Sequence, residues 1–157
     1  MADIARRKFL KVTGSGAALG AMVASGLLVP TISHGKSIAN AFEFRTVDEV
    51  LNELFETTTT TPSDEVTVVA PDIAENGTVV PVTIRTKLAN IQSITIIAEK
   101  NPYPLAASFQ MSNQTAGHIA TRIKLGKTQD VWAVVSADGK LFTGKKQVKV
   151  TVGGCGG

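Results

Sequence analysis

From Val66 onward, no helical period recurs. Short runs rich in Val, Ile and Thr alternate apolar with polar residues and are separated by turn formers. A period of two fixes which side chains share a face, so this stretch is committed to strands. The expected strands are 66–70, 79–86, 91–98, 106–111, 118–125, 131–137, 140–143 and 147–152. Asn76-Gly77 and Asp138-Gly139 are tight-turn dipeptides. Asn101-Pro102-Tyr103-Pro104 is a loop, because two prolines remove backbone donors. Seven or eight short strands in about 90 residues imply an all-β fold, an immunoglobulin-like antiparallel β-sandwich.

Alternation assigns the faces. Val80, Val82 and Ile84 oppose Pro81, Thr83 and Arg85; Ile119, Ile123 and Leu125 oppose His118, Arg122 and Lys124. Val148, Val150 and Val152 oppose Gln147, Lys149 and Thr151, which anchors the last strand up to Val152. Two strands break the rule. Residues 94–97 and 131–135 are apolar on both faces, whereas a two-sheet sandwich leaves one face of each sheet wet. They need a second cover, either an N-terminal helix or a partner subunit. If a partner covers them, Ile97, Trp132 and Val134 are candidates for its docking face. The helix has a clear start: Thr46 and Glu49 form a capping box. Val47, Val50, Leu51, Leu54 and Phe55 then fall on one face, so the helix runs to about Phe55. Thr57 to Thr61 and Pro62 form a stiff polar connection.

The amino end reads as an export signal. Arg6-Arg7-Lys8-Phe9-Leu10-Lys11 precedes a weakly apolar run rich in Gly and Ala, too poor in large apolar residues to anchor in a membrane. Ala39-Asn40-Ala41 suits a signal peptidase. The pattern resembles a twin-arginine signal peptide, with Ala5 where Ser or Thr is usual. Cleavage is expected after Ala41, within a few residues. The expected organisation is 1–41 signal peptide, 42–62 helix and linker, 63–152 β-sandwich and 153–157 a terminal arm. The precursor's net charge of +3 becomes about −1 once Arg6, Arg7, Lys8, Lys11, Lys36 and Asp3 are removed. The basic balance therefore belongs to the leader and does not indicate nucleic acid. Twin-arginine export carries folded cargo, usually with a cofactor or a travelling partner. With no P-loop, GxGxxG, CxxC or CxxCH motif, the partner is the expected reason.

The chain ends Gly153-Gly154-Cys155-Gly156-Gly157, and Cys155 is its only cysteine. Glycine samples φ of both signs, so composition predicts a thin, flexible tether carrying a thiol. Extended, five residues reach about 16 Å. A thiol there is either presented to another protein or makes an intermolecular disulfide; a third reading is an incidental frayed end. One cysteine without neighbouring ligands does not make a metal site. His118 is the histidine remaining after cleavage; its register points outward, away from any catalytic dyad with Cys155. No carboxylate pair stands out. Lys145, Lys146 and Lys149 would favour an anionic sulfur near the tail or simply form a solvated face.

The terminal 150–157 segment, VTVGGCGG, behind a twin-arginine leader resembles the SoxY family, sulfur carriers of the periplasmic thiosulfate-oxidising system. Residues 71–77 (PDIAENG), 80–82, 99–104 (EKNPYP), 121–124 (TRIK) and 138–140 add to the resemblance. It implies a non-enzymatic covalent carrier without a cofactor of its own. Cys155 is then the attachment site, and Gly153, Gly154, Gly156 and Gly157 are the swinging arm. It implies a heterodimer with SoxZ, exported alongside. It further implies that the haem enzyme SoxXA couples thiosulfate to the thiol, SoxB releases sulfate by hydrolysis, and in some systems a sulfur dehydrogenase oxidises the remaining persulfide. An exposed thiol is expected to keep its ordinary pKa of about 8.5, so the partner enzymes supply activation. The rival reading is an exported structural sandwich that uses Cys155 for an intermolecular disulfide.

Overall fold

The computed structural model describes residues 38–112 and 116–151. Helix α1 (Ile38–Ala41) leads into α2 (Val47–Phe55). The capping box at α2 forms as the sequence predicts. Thr46 is extended, its hydroxyl accepts from the Glu49 N–H at 3.2 Å, and Glu49 Oε2 accepts from the Thr46 N–H at 3.0 Å. The Thr46 side chain, with the backbone N–H groups of Arg45 and Thr46, holds the Glu49 carboxyl below its usual pKa.

Among the described residues nine strands follow: β1 (Thr61–Pro62), β2 (Val66–Val69), β3 (Ile73–Ala74), β4 (Val80–Thr86), β5 (Ile91–Ala98), β6 (Leu105–Gln110), β7 (His118–Ile123), β8 (Gln129–Ala137) and β9 (Lys140–Val150). One sheet has the order β1-β9-β8-β5-β6, with β3 also paired to β9. The other has the order β2-β4-β7. The long pairings are antiparallel, as expected of an immunoglobulin-like sandwich. The pairings of β1 and β3 with β9 are parallel, and the sequence pattern did not predict either strand. Two residues are too few to show a period.

Residues 140–150 form one strand where two were expected. Gly144 looks like a break but lies inside the ladder, opposite Ala133. A Cβ on Gly144 would lie 2.0 Å from the carbonyl oxygen of Val66. The glycine lets β2 cross directly over β9 and bring the two sheets together. At the β8–β9 hairpin, Asp138 and Gly139 both have positive φ, which fits the expected tight turn.

The doubly apolar strands are explained by two separate cores. Ile94, Ile96, Ala98, Val131, Ala133 and Val135 point toward the three-stranded sheet and pack with Val68, Val82 and Ile84. Their neighbours Ile97 and Val134 point the other way and pack with Leu105, Leu141, Ala41 and the Val50 and Leu51 face of α2. Ile97 and Val134 are fully buried by this cover, so they are not available as a docking face. Trp132 is partly buried beside them. Its indole N–H donates to Glu99 at 3.0 Å, and the Lys145 ammonium lies 3.1 Å from the ring centroid.

Candidate functional site

Cys155, Gly153, Gly154, Gly156 and Gly157 lie outside the described residues, as do Arg6 and Arg7. The structure instead shows the platform from which the tail departs, at the end of β9. The β8–β9 ladder stops at Gln129 opposite Val148. Beyond it, successive N–H groups of an extended chain point to opposite sides, and each needs a partner. Lys149 N–H donates to Asp72 O at 2.9 Å, and Thr151 N–H donates to Ala74 O at 3.2 Å. Between them, Val150 N–H donates to the Thr128 hydroxyl at 3.0 Å on the other side.

The parts that grip this end are themselves fastened. Lys146 Nζ lies 2.9 Å from the Asp72 carboxylate. That hydrogen bond and then the Lys146 charge hold the Asp72 carboxyl below its usual pKa against the opposing effect of burial, with a lesser contribution from Lys149. Asn76 Oδ1 accepts from the Thr78 backbone N–H at 2.9 Å and its hydroxyl at 2.6 Å. Gly77 O accepts from Leu125 N–H at 2.7 Å. A Cβ on Gly77 would sit 2.4 Å from Leu125 O and 2.8 Å from Val150 Cγ1, so this turn carries glycine because of crowding.

On the other flank, Gln129 is fully buried. Its amide donates to Asn101 Oδ1 at 2.8 Å and Lys127 O at 3.1 Å, and its carbonyl accepts from Lys100 N–H at 2.7 Å. Asn101 in turn donates to Lys124 O at 2.8 Å and accepts from Gly126 N–H at 3.0 Å. This network shapes the turn that carries Thr128, and each buried polar atom in it is satisfied. Residues 71–77, 99–104 and 121–124, quoted above for the SoxY resemblance, thus contribute backbone or side-chain groups around one end of β9. Sequence reasoning did not single out Asp72, Gly77, Thr128 or Gln129 for this role. A buried glutamine opening an apolar strand was the available signal.

The expected lysine group is divided among tasks. Lys145 stacks on Trp132, Lys146 pairs with Asp72, and Lys149 is exposed opposite Ile73 in the β3–β9 register. His118 is exposed on β7 opposite Arg85, as its register predicted. It lines an open groove of about 850 Å³ with Asp64, Glu65, Thr67, Arg85 and Lys87. Among the described residues, no cluster of three or more His, Cys, Asp or Glu side chains is arranged to hold a metal ion. No helix among them is long and apolar enough to cross a membrane.

The fold is an immunoglobulin-like β-sandwich, and the sequence beyond its described residues carries Cys155 among four glycines. The model of the sulfur oxidation protein SoxY family matches residues 51–155, and the chain belongs to that family. The sulfur carrier protein SoxY from Chlorobium limicola f thiosulfatophilum is similar in structure, with a TM-score of 0.63 and 33% identity. The match covers 68% of this chain and 97% of that one. A superoxide reductase (neelaredoxin) from Ignicoccus hospitalis has a TM-score of 0.49 at 15% identity, over 55% of this chain and 80% of the other. No curated protein sequence matches.

Proposed function

We propose that this protein is a sulfur-oxidation carrier that holds its intermediates covalently on Cys155. The observation that carries the reading is the reach of the family match: it runs through the sandwich and ends on Cys155 itself. The Chlorobium relative, described as a sulfur carrier protein, supports the same role. In the first step, a bond forms between the Cys155 sulfur and the sulfane sulfur of thiosulfate. The thiol proton is released, and two electrons pass one at a time through the haem of SoxXA to an electron acceptor protein. SoxB then adds water to the sulfone group, which leaves as sulfate with a proton, and the persulfide stays on Cys155. A sulfur dehydrogenase, where present, would convert that persulfide with three waters to the cysteine-bound sulfonate, taking up six electrons and releasing seven protons. Carriage on a tether keeps reactive sulfur bound and raises its effective concentration at each enzyme.

The twin-arginine leader supports export as a folded complex to the periplasm, with SoxZ as the travelling partner. Docking of SoxZ uses a face other than Ile97 and Val134, which α2 covers.

The test is the intact mass of mature protein purified from its native host grown on thiosulfate, with and without reductant. The expected result is reductant-releasable sulfur or thiosulfate mass on the C-terminal peptide, absent in Cys155→Ser, and a co-purifying small subunit. A homodimer disulfide as the sole modification, or none during turnover, would favour the structural sandwich instead.

A further inference from the structure

We infer that residues 72–78, together with Thr128, form a clamp that fixes the point of departure of the C-terminal tail and so sets the reach of the Cys155 thiol. The inference rests on reading Cys155 as the carrier thiol. Without the clamp, β9 would lose its last partner at Val148, and the tether would begin at Lys149. The clamp extends the held chain to Thr151 through three bonds that alternate sides: Asp72 O, Thr128 Oγ1 and Ala74 O. Releasing three residues would lengthen the tether by about 10 Å at the rise of an extended chain. Effective concentration falls steeply once a tether exceeds the span it must bridge, so a fixed origin has direct kinetic value.

The composition of β3 favours this role over a core role. Ile73 is 56% exposed, and Ala74 is the one buried side chain of the strand. A two-residue strand that buries a single alanine adds little to the core. Its main-chain bonds go to the last residues of β9. The Lys146–Asp72 pair, the Asn76–Thr78 turn and the Gly77–Leu125 bond hold it in place.

Three forms of the full mature chain test this. Gly77→Val forces the turn away from Leu125 and Val150. Thr128→Val removes the acceptor of the Val150 N–H while keeping the side-chain shape. Two glycines inserted between Val152 and Gly153 lengthen the tether with the clamp intact. Three readouts are taken: amide exchange at residues 149–151, the zone of amide broadening from a nitroxide on Cys155, and the rate of thiosulfate adduct formation by limiting SoxXA. Gly77→Val should raise exchange at 149–151 by at least about tenfold while the β8–β9 interior stays protected. It should also widen the broadened zone and slow adduct formation several-fold. The insertion should reproduce the last two effects with exchange and melting temperature unchanged, which a purely structural role would not do. If Gly77→Val does not fold, Thr128→Val should still release the Val150 amide.

Fast exchange at 149–151 in the parent chain, or no change on breaking the clamp, would overturn the inference. Unchanged adduct rates in both the clamp variant and the insertion would overturn its claim on reach. If the parent chain formed no adduct at all, the carrier reading would fail, while the exchange and broadening results would still decide whether the clamp exists.

Discussion

The six-stranded sheet has two covers, and they are built differently. One face meets a second sheet: Ile94 and Ile96 interlock with Val82 and Ile84, and eighteen buried residues among those described make one continuous core. The other face meets the nine-residue helix α2, whose Val50 and Leu51 pack on Ile97, Leu105, Val134 and Leu141; Ala41, buried beside them, lies within the leader expected to be removed. The first cover is held along whole strands whose ladders bond its backbone at each step. The second is held by a stripe of side chains and a capped helix start. The sandwich core should therefore set global stability, and the helical cover should be able to loosen locally.

Ile96→Ala should have the largest effect. Deleting a fully buried side chain between the sheets should cost about 2–5 kcal/mol and lower the midpoint of a single cooperative denaturant transition. A non-cooperative loss would show that the sheets do not share one core. Leu51→Ala strikes the other cover and should cost about 2–3 kcal/mol. Its signature should differ: exchange should rise at α2 and at Ile97 and Val134 well before the β4–β7 pairing opens. Equal exchange at both covers would erase the contrast. Removing the cap with Thr46→Ala should cost about 1 kcal/mol and affect the same side. Lys145→Ala should cost about 0.5–1 kcal/mol and alter Trp132 fluorescence through loss of the ring contact.

The smallest effect is a pH dependence at the edge of β9. The folded-state pKa of Asp72 is depressed, chiefly by its hydrogen bond to Lys146. Its contribution is complete above the ordinary carboxylate range and is lost as pH falls through that range toward the depressed value. The amide shifts of Lys149 and Thr151 should titrate with it, and that of Ile96 should not. Asp72→Asn should remove the titration.

The contrast between the covers was half legible in the sequence. Alternation located seven of the nine strands, because each runs long enough to show its period. The apolar breaks at Ile97 and Val134 announced a second cover, and the Thr46–Glu49 cap marked the helix that supplies it. Whether helix or partner did the covering depended on chain path, which periodicity does not encode. Gly144 misled because a glycine in a strand reads as a break, while its reason is the Val66 backbone arriving from a distant part of the chain. β3 was invisible for a related reason: its partners are main-chain groups of β9, and its own side chains follow no pattern. For the site, Cys155 and its flanking glycines are an expectation from sequence that lies outside the described residues, whereas the Asp72, Gly77 and Thr128 contacts around the end of β9 are tertiary and leave little local trace.

β9 runs eleven residues without interruption, and its last turn of bonding lies next to the tail. Consider a pull applied at Thr151 along the axis of that strand. The β8–β9 rungs, together with the short parallel pairs to β1 and β3, would then be loaded in shear, many at once, and not peeled open one by one. Such a strand behaves mechanically as a tie-rod: tension at its C-terminal end spreads across the sheet before any single bond must yield.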